Sequence, residues 1–124
     1  MIQRYTMLTV ADNSGGRFFK CLTLRFLYKS VTAGFIIRGC IRKLRRKRRR
    51  FSRVRKGCMY NALIIQSRKA LKRLNNKIFI SKQNFVIMLG KDNEFLFTRI
   101  FHGIPKEARM KKRSKLLIIA PFLY

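Results

Sequence analysis

Apolar positions along the chain fall in short runs, and most of those runs carry the period of a strand. Residues 6–10 are a β-favouring run that enters Ala11-Asp12-Asn13-Ser14-Gly15-Gly16, residue types that tolerate left-handed backbone and close tight turns. From 18 to 28 the even positions Leu22, Leu24 and Phe26 are apolar while Thr23 and Arg25 are polar, which predicts a strand with one buried face. Gly34 punctuates, and residues 35–41 form a second strand candidate. Residues 59–66, with Ala62, Leu63, Ile64 and Ile65 in succession, do not alternate, as expected of a strand buried on both sides.

The second half continues in short pieces. Asn75-Asn76 is a turn signal between two β-prone arms, 69–73 and 77–80, so residues 68–82 read as a hairpin with basic arms. Residues 85–89 are another short apolar strand, followed by the loop Gly90-Lys91-Asp92-Asn93-Glu94. The run 95–101 is broken by His102-Gly103, and Pro105 and Glu107 ahead of Lys111, Lys112 and Arg113 suit the two ends of a short helix over 104–114. Residues 116–119 are a last β-prone run before Ala120-Pro121. The pattern predicts a mainly β fold, a closed or nearly closed small barrel with one or two short C-terminal helices.

One stretch does not fit any strand. In residues 42–56, eleven of fifteen side chains are basic (Arg42, Lys43, Arg45, Arg46, Lys47, Arg48, Arg49, Arg50, Arg53, Arg55 and Lys56) and none is acidic. Apolar segments flank this run on both sides, so it is an insertion in a folded body and not a tail. The whole chain repeats the imbalance: 31 Lys and Arg stand against Asp12, Asp92, Glu94 and Glu107, a formal net charge of +27. Such an excess is relieved by phosphates, whose condensed counterions are released on binding. A second basic patch holds Arg68, Lys69, Lys72 and Arg73. These fifteen cations are the candidate nucleic-acid contacts, and contact through phosphates is the expected mode. With 124 residues and 48% hydrophobic content the chain is one domain, 1–124, with a core of its own.

Other chemistry finds little support. Cys21, Cys40 and Cys58 are odd in number, lack metal-ligand spacing and read as small core residues; no metal or cofactor is implied. His102 is the only histidine, the carboxylates lie apart except Asp92 and Glu94, and no phosphate-cradling Gly loop is present, so an enzyme is not expected. Most of the eleven Phe sit at apolar strand positions, leaving Phe51, among arginines, as the one base-stacking candidate. No apolar run approaches the ~18 residues of a membrane span, and 42–56 has no amphipathic helical pattern, so no membrane partner is expected.

Met1-Ile2-Gln3, Thr6-Met7-Leu8 and Val10-Ala11-Asp12-Asn13-Ser14-Gly15 resemble the opening of the fourteenth universal protein of the large ribosomal subunit. The resemblance resumes at Val54-Arg55-Lys56-Gly57, Ala62-Leu63-Ile64-Ile65, Arg68-Lys69 and Asn84, then at Thr98-Arg99-Ile100-Phe101, Glu107 and Ala120-Pro121. It implies a five-stranded β-barrel with a projecting β-ribbon and small C-terminal helices. It also implies a structural place on the subunit-joining face, with large-subunit rRNA, the nineteenth large-subunit protein and small-subunit rRNA as partners. Thr98, Arg99 and Lys112 would make the intersubunit or factor contact, including contact with a ribosome-silencing factor. Two departures stand out: Asn75-Asn76-Lys77-Ile78-Phe79-Ile80 replaces the family's Asp-Gly ribbon turn, and Phe101-His102-Gly103 replaces Phe-Gly-Pro. The family is less basic between its second and third strands, which makes 42–56 this chain's elaboration, expected to run as an extended loop between rRNA helices. The drift towards Phe, Ile, Lys and Asn points to an organelle-encoded gene and a mitochondrial ribosome, with a plastid or a bacterial cytoplasm as alternatives. A different class of function, a free-standing basic DNA- or RNA-packaging protein, fits the charge equally well.

Overall fold

The computed structural model describes residues 2–24, 31–46, 52–73, 75–90, 92–105 and 114–123. Along them run β1 (Met7–Val10), β2 (Gly16–Leu24), β3 (Ile36–Leu44), β4 (Met59–Gln66), β5 (Leu71–Lys72), β6 (Ile78–Phe79), β7 (Phe85–Leu89) and a helix, α1 (Ser114–Ile119). Strands β1, β2, β3, β4 and β7 close into a five-stranded barrel in that order, while β5 and β6 pair only with each other. Neighbours are antiparallel except at the closure, where β1 lies parallel to β7 with Thr9 opposite Phe85 and Val10 opposite Val86.

Alternation along the strands builds two cores. Leu8, Val10, Phe19, Cys21, Ile37, Ile41, Ala62, Ile64, Val86 and Met88 fill the barrel interior. The intervening residues Leu63, Ile65, Ile87 and Leu89 point outward, where Phe97, Ile100, Ile104 and Leu116 of the C-terminal segment cover them. That second layer is why 59–66 reads as apolar without alternation: β4 has barrel on one side and the C-terminal segment on the other.

The ribbon forms as expected, with Leu71 opposite Phe79 and Lys72 opposite Ile78, and Asn76 at the turn takes φ 54°. Four expectations need correction. The buried face of β2 starts on odd positions, Phe19 and Cys21, and Leu22 is only half-buried, because a bulge between Cys21 and Thr23 shifts the ladder phase there. Residues 116–119 are helical, within α1. Leu116 is buried and Ile118 is 84% exposed, and the Ala120 N–H donates to the Leu116 carbonyl at 3.1 Å. A four-residue apolar run carries no period long enough to separate strand from helix. The helix expected over 104–114 is not helical where it begins, since Ile104 bridges to Leu123; 106–113 lie outside the described residues. Of the cysteines only Cys21 is a core residue: Cys40 is half-buried and Cys58 exposed, and all three are free. Burial pushes the Cys21 thiol up to about 11.

Candidate nucleic-acid interface

The basic run begins inside the sheet. Arg42, Lys43 and Leu44 complete β3, which pairs as far as Gly16 opposite Leu44, so the run joins the third strand to the fourth and not the second to the third. Its far end is anchored as well. Val54 is fully buried in the inner core, the Arg53 N–H donates to the Ser14 carbonyl at 2.9 Å, and the Gly57 N–H donates to the Ile41 carbonyl at 2.9 Å. Val54 is the apolar residue that seats this end of the basic segment in the core. The basic run therefore has two fixed feet on the barrel, and Lys47, Arg48, Arg49, Arg50 and Phe51 lie outside the described residues.

Between the feet, Arg42, Lys43, Arg46, Arg53, Arg55 and Lys56 are exposed and Arg45 is half-buried. Arg45 is committed to the fold. Its guanidinium donates to the Val10 carbonyl at 3.0 Å and lies 4.8 Å from the Phe101 ring centroid, and its backbone N–H donates to the Gly15 carbonyl at 3.0 Å. It also faces Asp12, whose fully buried carboxylate accepts the Ser14 N–H at 2.8 Å, the Ser14 hydroxyl and the Met88 N–H at 2.6 Å. Burial raises the Asp12 pKa, against the opposing pull of these donors and of Arg45.

The same turn holds Thr98 and Arg99. The Asn13 side-chain amide donates to the Thr98 hydroxyl at 2.8 Å, and its oxygen accepts the N–H groups of Thr98 at 3.0 Å and Arg99 at 3.3 Å. The Asn13 N–H in turn donates to the Arg99 carbonyl at 3.2 Å. Thr98 and Arg99 are both exposed, so the 12–15 turn joins the feet of the basic loop to the Thr98-Arg99 pair. Lys112 lies outside the described residues.

The second patch sits elsewhere. Arg68, Lys69 and Lys72 are exposed and Arg73 is half-buried with its guanidinium 5.3 Å from the Phe79 ring centroid. The Arg68 N–H donates to the Asn84 side chain at 2.8 Å and its Nε to the Lys82 carbonyl at 3.0 Å, which fixes the root of the ribbon. Gln66, at the end of β4, donates from Nε2 to the Gly103 carbonyl at 2.5 Å and accepts from the Ser81 hydroxyl at 2.8 Å, tying the ribbon to the turn at His102. His102 stacks on Phe85 with centroids 4.0 Å apart; desolvation, then the Arg45 charge, lower its pKa. Because the basic loop enters β4 and the ribbon leaves it, the two patches flank opposite ends of an eight-residue strand, roughly 25 Å apart along it.

The eleven of these cations that lie among the described residues thus form two groups, and Thr98 and Arg99 are tied to the first through the 12–15 turn. Three residues outside the fifteen cations carry the architecture or extend the first group. Asn13 works through contacts to residues about eighty-five positions away and has no local signal. Arg38, exposed in the middle of β3, and Tyr60, whose hydroxyl accepts the Arg55 N–H at 3.0 Å, line a cleft beside Arg53. Arg38 was legible as a charged residue within an otherwise apolar strand.

The family model described as ribosomal protein L14p/L23e matches residues 1–124. The large ribosomal subunit protein uL14 of Carsonella ruddii (strain PV) is 34% identical over 122 residues, 97% of this chain and 97% of that protein.

Proposed function

Because the chain belongs to the L14p/L23e family of ribosomal proteins, we propose that it serves as a non-catalytic structural constituent of the large ribosomal subunit that grips large-subunit rRNA at both ends of its barrel. The observation that supports this reading is the placement of two sets of exposed cations, Arg42, Lys43, Arg46, Arg53, Arg55 and Lys56 in one and Arg68, Lys69 and Lys72 in the other, at opposite ends of β4. Two charged arms held apart by a barrel match phosphates on two separate RNA segments, and each contact adds to a salt-dependent affinity. We assign Thr98, Arg99 and Lys112 to the contact with the intersubunit face, small-subunit rRNA and a ribosome-silencing factor; the nineteenth large-subunit protein is the expected protein neighbour.

Sedimentation of a native extract tests this. The chain is expected in the large-subunit peak at low salt and released as salt rises; recovery in the free pool alone at low salt would sink the reading. Preference for duplex DNA over structured rRNA, with absence from ribosomes, would establish the packaging protein instead. For compartment, the composition favours a mitochondrial ribosome, while the bacterial relative favours the alternative of a bacterial cytoplasm. Fractionation of the source cells decides between them.

A further inference from the structure

A cleft of about 460 Å³ opens at the end of the barrel where β4 begins and β7 finishes. Its size lies within the roughly 300–1,000 Å³ of small-ligand sites. Three kinds of group meet there. Arg38 and Arg53 supply guanidiniums, Met59 and Leu96 supply apolar surface, and Tyr60 and Asn61 supply an aromatic ring and a side-chain amide.

Several of these groups are held in place by the fold. Arg53 is fixed twice, through its backbone N–H to Ser14 and through Nη1, which donates to the Leu96 carbonyl at 3.2 Å. The Tyr60 hydroxyl is pinned by the Arg55 N–H. Arg38 stands opposite Asn61 in the β3–β4 ladder, and its guanidinium has no hydrogen-bond partner among the described residues. Among the described residues the Asn61 amide has only a long 3.4 Å contact, to the Asn93 oxygen.

We propose that this cleft receives a single unpaired nucleotide of the bound RNA, its base against Met59, Tyr60 and Leu96, its polar edge on Asn61 and its phosphate on Arg38. This deepens the rRNA-binding reading and rests on it. A paired base keeps its faces stacked and its Watson–Crick edge occupied, so a duplex can offer the cleft phosphates only. An unstacked base offers a π-face, an edge and a phosphate together, the three chemistries the cleft brings to one place. The feet of the basic loop stand beside it, since Arg53 and Arg55 both contact cleft residues, so RNA drawn in by 42–56 arrives at its mouth.

The test uses the full chain and two RNA hairpins of one sequence, one with a single-nucleotide bulge and one fully paired. Wild-type protein is expected to favour the bulged hairpin by about ten-fold, the range of one base stacked on protein. Asn61→Leu, at an outward strand position and checked for unchanged melting temperature, should reduce that preference while affinity for the paired hairpin changes little, and Arg38→Gln should weaken the bulged hairpin more than the paired one. A 4-thiouridine placed at the bulge should crosslink to the peptide carrying Tyr60. Equal affinity for the two hairpins in wild-type protein, or a crosslink confined to the 68–73 region, overturns the proposal. Failure to bind either hairpin at low salt overturns the rRNA-binding reading itself, and the cleft assignment with it.

Discussion

Asn13 carries no charge, yet it ties the 12–15 turn to both Thr98 and Arg99. It is the only side chain seen bonding both Thr98 and Arg99 among the described residues, through its amide and its oxygen. Asn13→Ala should cost about 1–3 kcal/mol, the range for leaving such partners unpaired, and amide hydrogen exchange should quicken at Thr98 and Arg99 before it does in β4. Asp12, next to it, gives the chain a pH signature. Its pKa is raised in the folded state, so folded protein keeps a proton that unfolded chain has already lost. Its contribution to stability is therefore fully present below its ordinary value of 3.8 and is lost as pH rises from there through the raised folded value. Denaturant titrations across that window should show a decline in wild-type protein that Asp12→Asn lacks; equal slopes would refute the assignment. Composition marked Arg45 as a phosphate ligand, but its guanidinium is bound to Val10 and Phe101, far away in sequence, and no local pattern announces such a tie.

At the scale of elements the strands were legible and their phases were not. The barrel strands and the ribbon fall close to where the short apolar runs and the Asn75-Asn76 turn put them, although the strand expected over 18–28 is described over Gly16–Leu24 and β3 runs on to Leu44, inside the basic stretch. The bulge in β2 was hidden, since one extra residue inverts which side chains face in without changing composition. Helix α1 was hidden because four apolar residues suit either a strand or a buried turn of helix. Gly39 shows how tightly β2 and β3 approach. A Cβ there would stand 2.0 Å from the Lys20 carbonyl oxygen and 2.8 Å from the Phe19 ring, in a ladder that cannot slide. Gly39→Ala should lose roughly 3 kcal/mol or more, read by thermal or denaturant unfolding, whereas Gly90→Ala meets only ordinary contacts at 3.5 Å and should cost far less.

For the molecule as a whole, charge is distributed in a way that composition could announce but not arrange. The net +27 pointed to a polyanion, and only the three-dimensional placement shows two arms on opposite ends of one strand. Replacing Arg42, Lys43, Arg46, Arg55 and Lys56 with Ser should weaken rRNA association and flatten its salt dependence with the barrel intact. Arg45→Ser should lower the melting temperature, and an unchanged salt slope in the five-fold variant would show that the loop faces solvent. The parallel pairing of β1 with β7 also sets an order of events during synthesis. Val10 finds its partner only when Val86 has been made, so a shorter nascent chain holds β1 with an open edge. Closure is thus a late, long-range step, slower than the local β1–β2–β3 meander that precedes it, and the basic loop emerges from the ribosome before the barrel that carries it can shut.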